Sequence, residues 1–201
     1  SPEFFRGELK VSPEELGRRG VAFHLVDRGG RATYHGPGQL MVYPFVNLGA
    51  LGVGPVDFSQ ALLRAVALEA IETGAGCGPG AASQVWSDRG LWVGGVKLAS
   101  VGLSVTGGVT SHGLALNLEP EPGLGFGAVH PCGDPRTRMT DLLTLTGRRC
   151  DRAALGGRIA RRLAEDLGLE GVALAPEDLL ESLPPWLVVR RPGPEPGEAP
   201  G

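Results

Sequence analysis

The stretch that decides the fold is RGGRATYHGPGQ, residues Arg28 to Gln39, which lies between two apolar, strand-like runs. Glycine is used where the backbone must adopt unusual dihedral angles or approach a ligand closely. A glycine-rich loop that carries a few polar side chains between strands therefore indicates a pocket rather than a plain turn. It is not a nucleotide-binding loop, because it lacks both the dinucleotide spacing of glycines at a helix start and the Walker lysine.

The size and composition indicate one globular domain. The chain has 201 residues, of which 42% are hydrophobic, and its formal net charge of −3 argues against a dedicated nucleic-acid binder. Three cysteines do not suggest a disulfide framework. With no signal peptide and no apolar run near membrane-spanning length, the sequence predicts a cytoplasmic protein without a membrane segment.

One stretch of the chain is basic despite the negative total. Residues 131–165 contain eight arginines and four acidic residues. Two interpretations are open: a solvated helix face, or a docking patch for an acidic partner.

Hydrophobic patterns predict several strands and helices. A Gly107-Gly108 turn is expected to join the last two strands. The predicted strands are Val21–Val26, Leu40–Leu48 (interrupted by Pro44), Val85–Trp86, Leu91–Val93, Lys97–Val105 and Val109–Leu118. The predicted helices are Pro55–Thr73 (N-cap Asp57, stop Gly74), Thr140–Leu145, Arg152–Leu167 (N-cap Asp151) and Glu177–Leu183, followed by a disordered tail.

Cys132 lies between a proline and a glycine, two residues after His130. A thiol becomes a nucleophile as the thiolate, which needs a nearby positive charge, and Lys97 supplies one if the fold brings the two together. The alternative is that Cys132 is a small hydrophobic loop residue, the interpretation given to Cys77 and Cys150.

The histidines allow other interpretations. The set His35, His112, His130 and Cys132 lacks the close spacing of a structural zinc site, so no metal is expected. His35 is interpreted as a pocket residue that hydrogen-bonds a substrate carbonyl or orients its loop.

Five ordered motifs resemble those of the lipoyl(octanoyl) transferase family: the glycine-rich loop, Val85-Trp86, GVKLASVG from Gly95, HGLALN from His112, and Pro131-Cys132-Gly133 followed by Thr140. The resemblance spans Val21 to Leu167. It implies the α/β (α+β) fold of the biotin and lipoate protein ligases, a mixed β-sheet flanked by helices. The implied organisation is a partial N-terminal segment (1–20), a single catalytic domain (21–190) and a disordered tail (191–201).

The resemblance also implies residue roles. Cys132 corresponds to the cysteine that carries the acyl thioester, and Lys97 to the lysine that lowers the pKa of its thiol. A backbone N–H near Gly133 or Lys97 is expected to stabilise the oxyanion, and small residues are expected to leave room for the acyl chain. The residues implied to line the acyl pocket are Arg28, Gly29, Gly30, Arg31, Ala32, Thr33, Tyr34, His35, Ser100, Val101, Gly102, Gly113, Leu114 and Ala115.

The implied activity moves an octanoyl group from octanoyl-acyl carrier protein to a lysine of lipoyl domains, the first step of protein lipoylation. The implied acceptors are the lipoyl domains of 2-oxoacid dehydrogenase complexes and the glycine cleavage H protein. No cofactor is expected. The alternatives are a protein-to-protein octanoyl or lipoyl amidotransferase, an ATP-using lipoate ligase, for which no adenylate-binding signature is found, and a non-catalytic acyl-binding domain of the same fold.

Two departures from the family pattern stand out. Only 27 residues precede Arg28, where family members usually carry an N-terminal helix and strand, so this part is expected to be missing, truncated or undetermined. Asp141 follows Thr140 where the family commonly has a serine. Because a carboxylate beside a thiolate opposes its ionisation, Asp141 is expected to point away or to pair with Arg138.

Overall fold

The computed structural model of the protein describes residues 9–26, 28–76, 90–120, 125–130 and 133–169. The predicted elements Val85–Trp86 and Glu177–Leu183 lie outside these ranges, as do the tail, Cys77, Pro131 and Cys132. The chain divides into one compact unit, Ser1–Leu169, and a second, Glu170–Gly201. The domain boundaries expected after residues 20 and 190 stay predictions.

Four described strands form a sheet in the order β1-β4-β3-β2, and each neighbouring pair is antiparallel. Gly107 and Gly108, with φ of 58° and 81°, form the predicted two-residue turn between β3 and β4. A single parallel bridge joins Lys97 to Met139. The strands are β1 (Gln39–Val42), β2 (Gly90–Val93), β3 (Val96–Thr106) and β4 (Val109–Asn117).

One strand prediction is confirmed in its interruption, and another needs correction. Regular pairing of β1 ends at Val42, and Pro44 interrupts the strand because its ring nitrogen cannot donate to a ladder. Asn47 then pairs with Val109 of β4 in an isolated antiparallel bridge. The segment Val21–Val26 forms no regular secondary structure, and Phe23, Leu25 and Val26 are exposed. Its apolar residues favour a strand, but a strand also needs a partner, and no described strand pairs with this segment. The N–H of Val21 bonds the carbonyl of Leu16 instead.

Five helices and one 3-10 helix are described. α3 confirms the predicted long helix, but its N-cap is Gly54, and Asp57 lies in its first turn. α5 confirms the last predicted helix, and the Asp151 carboxylate accepts a bond from Ala154 N at 3.0 Å as its N-cap. The helices are α1 (Pro13–Arg18), α2 (Leu48–Leu51), α3 (Pro55–Glu72), the 3-10 helix (Gly125–Ala128), α4 (Leu142–Thr146) and α5 (Arg152–Asp166).

The structure gives Asp141 a role that the sequence analysis did not predict. Its carboxylate is the N-cap of α4, and it accepts bonds of 2.8 Å from both the backbone N and the Oγ1 of Thr144. A cap of this kind satisfies a helix N–H that otherwise has no partner. Asp141 therefore anchors the segment that follows Thr140 and bonds Thr144 instead of Arg138.

The core lies between the sheet and two of the helices. α3 packs against β2, β3 and α5, and α5 also packs against β1. Helical spacing places the apolar side chains of α3 and α5 on their inner faces. Fully buried members of this core include Phe58, Leu62, Leu98, Leu116 and Ile159. None of the described helices combines the length and the apolar character that a membrane crossing requires.

Arginines of the basic stretch bind acidic residues of this chain. Glu69, on the inner face of α3, is 1% exposed and accepts hydrogen bonds from Nε of Arg158, at 2.6 Å, and from Nε of Arg162. Arg149 pairs with Glu119, and Arg136 with Asp134. Four of the eight arginines that suggested a docking patch thus have internal partners, and two of them hold α5 against α3.

We expect Glu69→Gln to lower the free energy of unfolding by about 1 to 3 kcal/mol, because it weakens two charge-assisted hydrogen bonds at a buried site. Burial by itself raises the pKa of Glu69, but the hydrogen bonds from Arg162 and Arg158 outweigh it and hold the pKa below its usual value. The carboxylate therefore stabilises the fold fully above the pKa that Glu69 has in the unfolded chain. This stabilisation is lost as the pH falls through the lower, folded-state pKa.

Urea unfolding measured from pH 7 downward tests this prediction, with Glu165→Gln on α5 as the control, since Glu165 is exposed. The wild type should lose stability more steeply in acid than Glu69→Gln does. If the free energy of unfolding falls equally steeply with pH in the wild type and in Glu69→Gln, the lowered pKa assigned to Glu69 is contradicted.

Candidate active site

Lys97 is a lysine inside the sheet, 1% exposed, near the start of β3. Its backbone N donates to the carbonyl of Arg138 at 2.8 Å, and its own carbonyl accepts from Thr140 N at 2.9 Å. The segment around Met139 is thus an added, parallel partner of β3 at this residue. This pairing fixes the backbone of Lys97 and ties it to the chain that follows residue 132.

The side chain of Lys97 passes over Gly90 on the neighbouring strand. A Cβ at Gly90 would lie 2.4 Å from Lys97 Cε and 2.2 Å from the carbonyl oxygen of Ala99, so only glycine fits there. Lys97 Nζ lies 5.6 Å from the centroid of the Trp92 ring. A buried ammonium needs compensating interactions, and the face of an indole supplies one of them.

The glycine-rich loop is fastened to β3. Gly29 N donates to the carbonyl of Leu103 at 2.9 Å, and Arg28 Nη1 donates to the carbonyl of Gly29 at 3.0 Å. A Cβ at Gly102 would lie 3.0 Å from that Gly29 oxygen. The missing side chain at Gly102 therefore gives room to this loop rather than to a ligand.

The two triplets of predicted pocket residues on β3 and β4 are direct cross-strand neighbours. Ser100 pairs with Ala115, Val101 with Leu114, and Gly102 with Gly113. At Gly113 a Cβ would lie 2.0 Å from the carbonyl oxygen of Val42, so the space at this glycine is taken by the backbone of β1. The expectation that these two glycines leave space for an acyl chain is not supported, although the structure brings the triplets together.

Arg31 connects the glycine-rich loop to the residue that follows Cys132. The space that a Cβ at Gly133 would occupy is filled by Arg31, whose Nη1 would lie 2.6 Å away. Gly133 also has a φ of 71°, which favours glycine. Although Cys132 lies outside the described residues, its neighbour Gly133 therefore contacts a residue of the loop that the sequence singled out.

Two backbone amides in the region expected to stabilise an oxyanion, those of Gly133 and Lys97, are already hydrogen-bonded. Gly133 N donates to the carbonyl of His130 at 2.8 Å, and Lys97 N donates to the carbonyl of Arg138. Since each N–H makes one good bond, neither is placed to receive a negative oxygen. The cationic side chains of Arg31 and Lys97 lie next to these segments.

The far end of the loop is held by aromatic and amide groups. The Tyr34 ring packs edge-to-face on Phe126, with 5.9 Å between the centroids. His35 Nδ1 lies 3.2 Å from Oε1 of Gln39, which is buried at the start of β1. Partial burial lowers the pKa of His35, the bond to Gln39 opposes this, and the charge of Arg28 adds to the lowering, so the pKa is below its usual value. The imidazole of His35 is therefore neutral at pH 7.

The remaining predicted residues do not form a metal site. Ala32 and Thr33 lie in the loop and are partly exposed. His112, which has a φ of 57°, packs edge-to-face on Tyr43 at 6.2 Å. Among the described residues, no three histidine, cysteine or carboxylate side chains are grouped to hold a metal ion.

Three residues of this site were not predicted to have a role in it: Gly90, and Gln39 and Asn117, which lie in the quoted motifs. Gly90 matters through its contact with Lys97, seven residues away in sequence and on another strand. Gln39 and Asn117 are amides at the start of β1 and the end of β4, where a polar side chain is common and carries no signal of its own. Their burial is visible only in the folded chain.

Solved structures identify the class of fold. The chain is similar to the bi-partite lipoate protein ligase from Thermoplasma acidophilum, with a TM-score of 0.60 and 15% identity, over 88% of this chain and 71% of that structure. Together with the sheet and its flanking helices, this confirms the predicted α+β fold of the biotin and lipoate protein ligases.

Sequence comparison identifies the family within this class of fold. Residues 6–164 match the model of the lipoyl protein ligase A/B catalytic domain, so the chain belongs to that family. It is 39% identical over 140 residues to the octanoyltransferase of Syntrophobacter fumaroxidans, covering 70% of this chain. It is 34% identical over 134 residues to the mitochondrial octanoyltransferase LIP2 of Arabidopsis thaliana, covering 67% of this chain. The aligned regions span only 59% and 55% of these relatives. The predicted family is confirmed.

We expect Gly90→Ala to lower the free energy of unfolding by about 1 to 3 kcal/mol, because the added methyl group overlaps the Ala99 carbonyl and the Lys97 stem. Urea unfolding measures this change. Gly157→Ala is the matched control, since a Cβ at this exposed position of α5 meets nothing within 4 Å. An unchanged stability of Gly90→Ala would contradict the close packing of Lys97 against Gly90.

Proposed function

We propose that this protein is an octanoyltransferase that moves an octanoyl group from octanoyl-acyl carrier protein to a lysine of lipoyl domains through a Cys132 thioester. The observation that carries the proposal is the buried Lys97, which is hydrogen-bonded through its backbone to the segment that follows Cys132. A lysine in such a place has no role in solubility. A nearby positive charge is what a cysteine needs to react as a thiolate.

The first half of the proposed reaction loads the enzyme. The Cys132 thiolate attacks the thioester carbonyl of the donor, a new C–S bond forms, and the bond to the carrier sulfur breaks. The departing carrier thiolate takes a proton from the Lys97 ammonium, which becomes a neutral amine. Arg31, which lies against Gly133, is suited to stabilise the negative oxygen that develops in this step.

The second half transfers the octanoyl group to the acceptor. The lysine amine of a lipoyl domain attacks the Cys132 thioester, the C–N bond forms and the C–S bond breaks. Lys97 takes the proton that the amine loses, so the ammonium and the Cys132 thiolate are regenerated together. The same lysine thus serves as acid in one half and as base in the other.

The residues proposed to bind the octanoyl group come from the predicted acyl pocket. The apolar chain would lie on the face of the sheet that carries Ser100 and Ala115, which are cross-strand neighbours on β3 and β4. Val101 and Leu114 point to the other face, where they belong to the hydrophobic core. The polar end would face the loop from Arg28 to His35. Both protein partners are proposed to be acidic and to approach near exposed Arg31 and Arg138. The predicted cytoplasmic location stays a prediction, and one relative is mitochondrial.

The thioester is tested by intact mass after incubation with octanoyl-acyl carrier protein. We expect an octanoyl adduct on the wild-type chain that is absent from Cys132→Ala and present in the controls Cys77→Ala and Cys150→Ala. Adding a lipoyl domain should discharge the adduct and octanoylate that domain. An adduct that survives Cys132→Ala would overturn the assignment, and loading only from an octanoylated protein would favour the amidotransferase.

The role of Lys97 is tested with Lys97→Met, which keeps the length of the side chain and removes its charge. Without the ammonium, the thiolate of Cys132 is less favoured, so alkylation of Cys132 should require a higher pH. The rate is measured against pH in a Cys77→Ala/Cys150→Ala background. Lys10→Met is the control, because Lys10 is exposed and is the other lysine of the chain. An unshifted profile for Lys97→Met would reject the role.

A further inference from the structure

Two buried amides connect the glycine-rich loop to the Lys97 segment. Gln39 is 7% exposed and Asn117 is 4% exposed, and Gln39 Nε2 lies 2.9 Å from Asn117 Oδ1. Gln39 also contacts the loop, since its Oε1 lies 3.3 Å from Gly36 N. At the other end Asn117 Nδ2 lies 2.8 Å from the carbonyl oxygen of Thr140, whose N–H bonds Lys97.

Backbone groups at both ends fix the direction of this chain of hydrogen bonds. The carbonyl of Thr140 can only accept, so the amide nitrogen of Asn117 must face it and Oδ1 must face Gln39. The N–H of Gly36 can only donate, so Oε1 of Gln39 must face the loop. Both ends therefore demand the same orientation, in which Gln39 Nε2 donates to Asn117 Oδ1.

This orientation determines which ring nitrogen of His35 carries the proton. His35 Nδ1 lies 3.2 Å from Gln39 Oε1, which is an acceptor, so Nδ1 must be the N–H. In the neutral ring Nε2 is then the acceptor. His35 is exposed although its Nδ1 is held against a buried amide, so the rest of the ring is accessible to a ligand.

We propose that Gln39, oriented by Asn117, is a positioning residue that holds His35 with its proton on Nδ1, so that Nε2 accepts a hydrogen bond from the incoming lysine amine. This inference rests on the proposed function, in which the acceptor amine is the N–H donor that arrives from solution, whereas the Lys97 ammonium is buried in the sheet. The thioester carbonyl can only accept, so a neutral His35 in this tautomer does not bind it. The bond would restrict the orientation of the amine before it attacks the thioester, and no proton is transferred in this contact.

The tautomer is measured directly by long-range proton–nitrogen NMR on the full chain with ¹⁵N-labelled histidine. The chain has four histidines, and the His35 signals are assigned by their loss in His35→Phe. We expect the His35 proton on Nδ1 in the wild type and a shift of population to Nε2–H in Gln39→Met. In Gln39→Glu the proton should stay on Nδ1 and the pKa of His35 should rise, because a carboxylate favours the imidazolium and opposes the effect of Arg28.

The kinetic test separates the two halves of the reaction. Gln39→Met should slow discharge of preformed octanoyl-enzyme to a lipoyl domain by about 10- to 100-fold. Loading by octanoyl-acyl carrier protein should change by less than about threefold. Gln60→Met, a substitution of the same kind on α3, should leave both rates unchanged. A general structural defect would slow loading as well as discharge.

The outcomes are distinguishable. A His35 proton on Nε2 in the wild type, or an unchanged discharge rate in Gln39→Met, overturns this inference while the Cys132 adduct still stands. If the wild type fails to form that adduct, the proposed function is overturned, and with it the proposal that His35 binds the acceptor lysine amine. The effect of Gln39→Met on the His35 tautomer is measured by NMR without substrate, so it is tested independently of the reaction.

Discussion

The burial of the Lys97 ammonium is the constraint around which this fold is arranged. An ionised side chain inside a sheet raises the free energy of the folded state unless nearby groups compensate it. The neighbouring strand provides Gly90, which leaves room for the stem, and Trp92, whose ring lies near the nitrogen. The segment around Met139 pairs with the Lys97 backbone on the other side. Lys97, whose charged group is unfavourable to bury, is thus held in one position by contacts on both sides.

The same segments bring distant parts of the sequence to one place. The loop from Arg28 is fastened to β3, and Arg31 extends from it to Gly133. The amides of Gln39 and Asn117 run beneath the loop to Thr140. Each connection is a hydrogen bond or a close packing contact. Displacement of one segment therefore disturbs the contacts that hold the others. This coupling suits a site whose proposed reaction needs several groups at fixed distances.

Local patterns predicted the strands β3 and β4, their glycine turn, and the helices α3 and α5, because these elements depend on periodicity and turn chemistry within one stretch. The Val21–Val26 prediction was wrong because a strand also requires a partner. The docking interpretation of the basic stretch overlooked Glu69, which lies far away in sequence and bonds Arg158 and Arg162. Net charge over a window does not reveal which charges are already paired.

The sequence by itself determined the family and the identity of the reactive candidates, because motif residues such as Lys97 and Cys132 are recognisable without a fold. Only the tertiary structure decided what Gly90, Gln39 and Asn117 do, and that Asp141 is a helix cap. It also decided that Gly102 and Gly113 make room for the chain itself. These roles depend on contacts between residues far apart in sequence. No local pattern encodes such a distance, since it arises only when the sheet, loop and helices pack together.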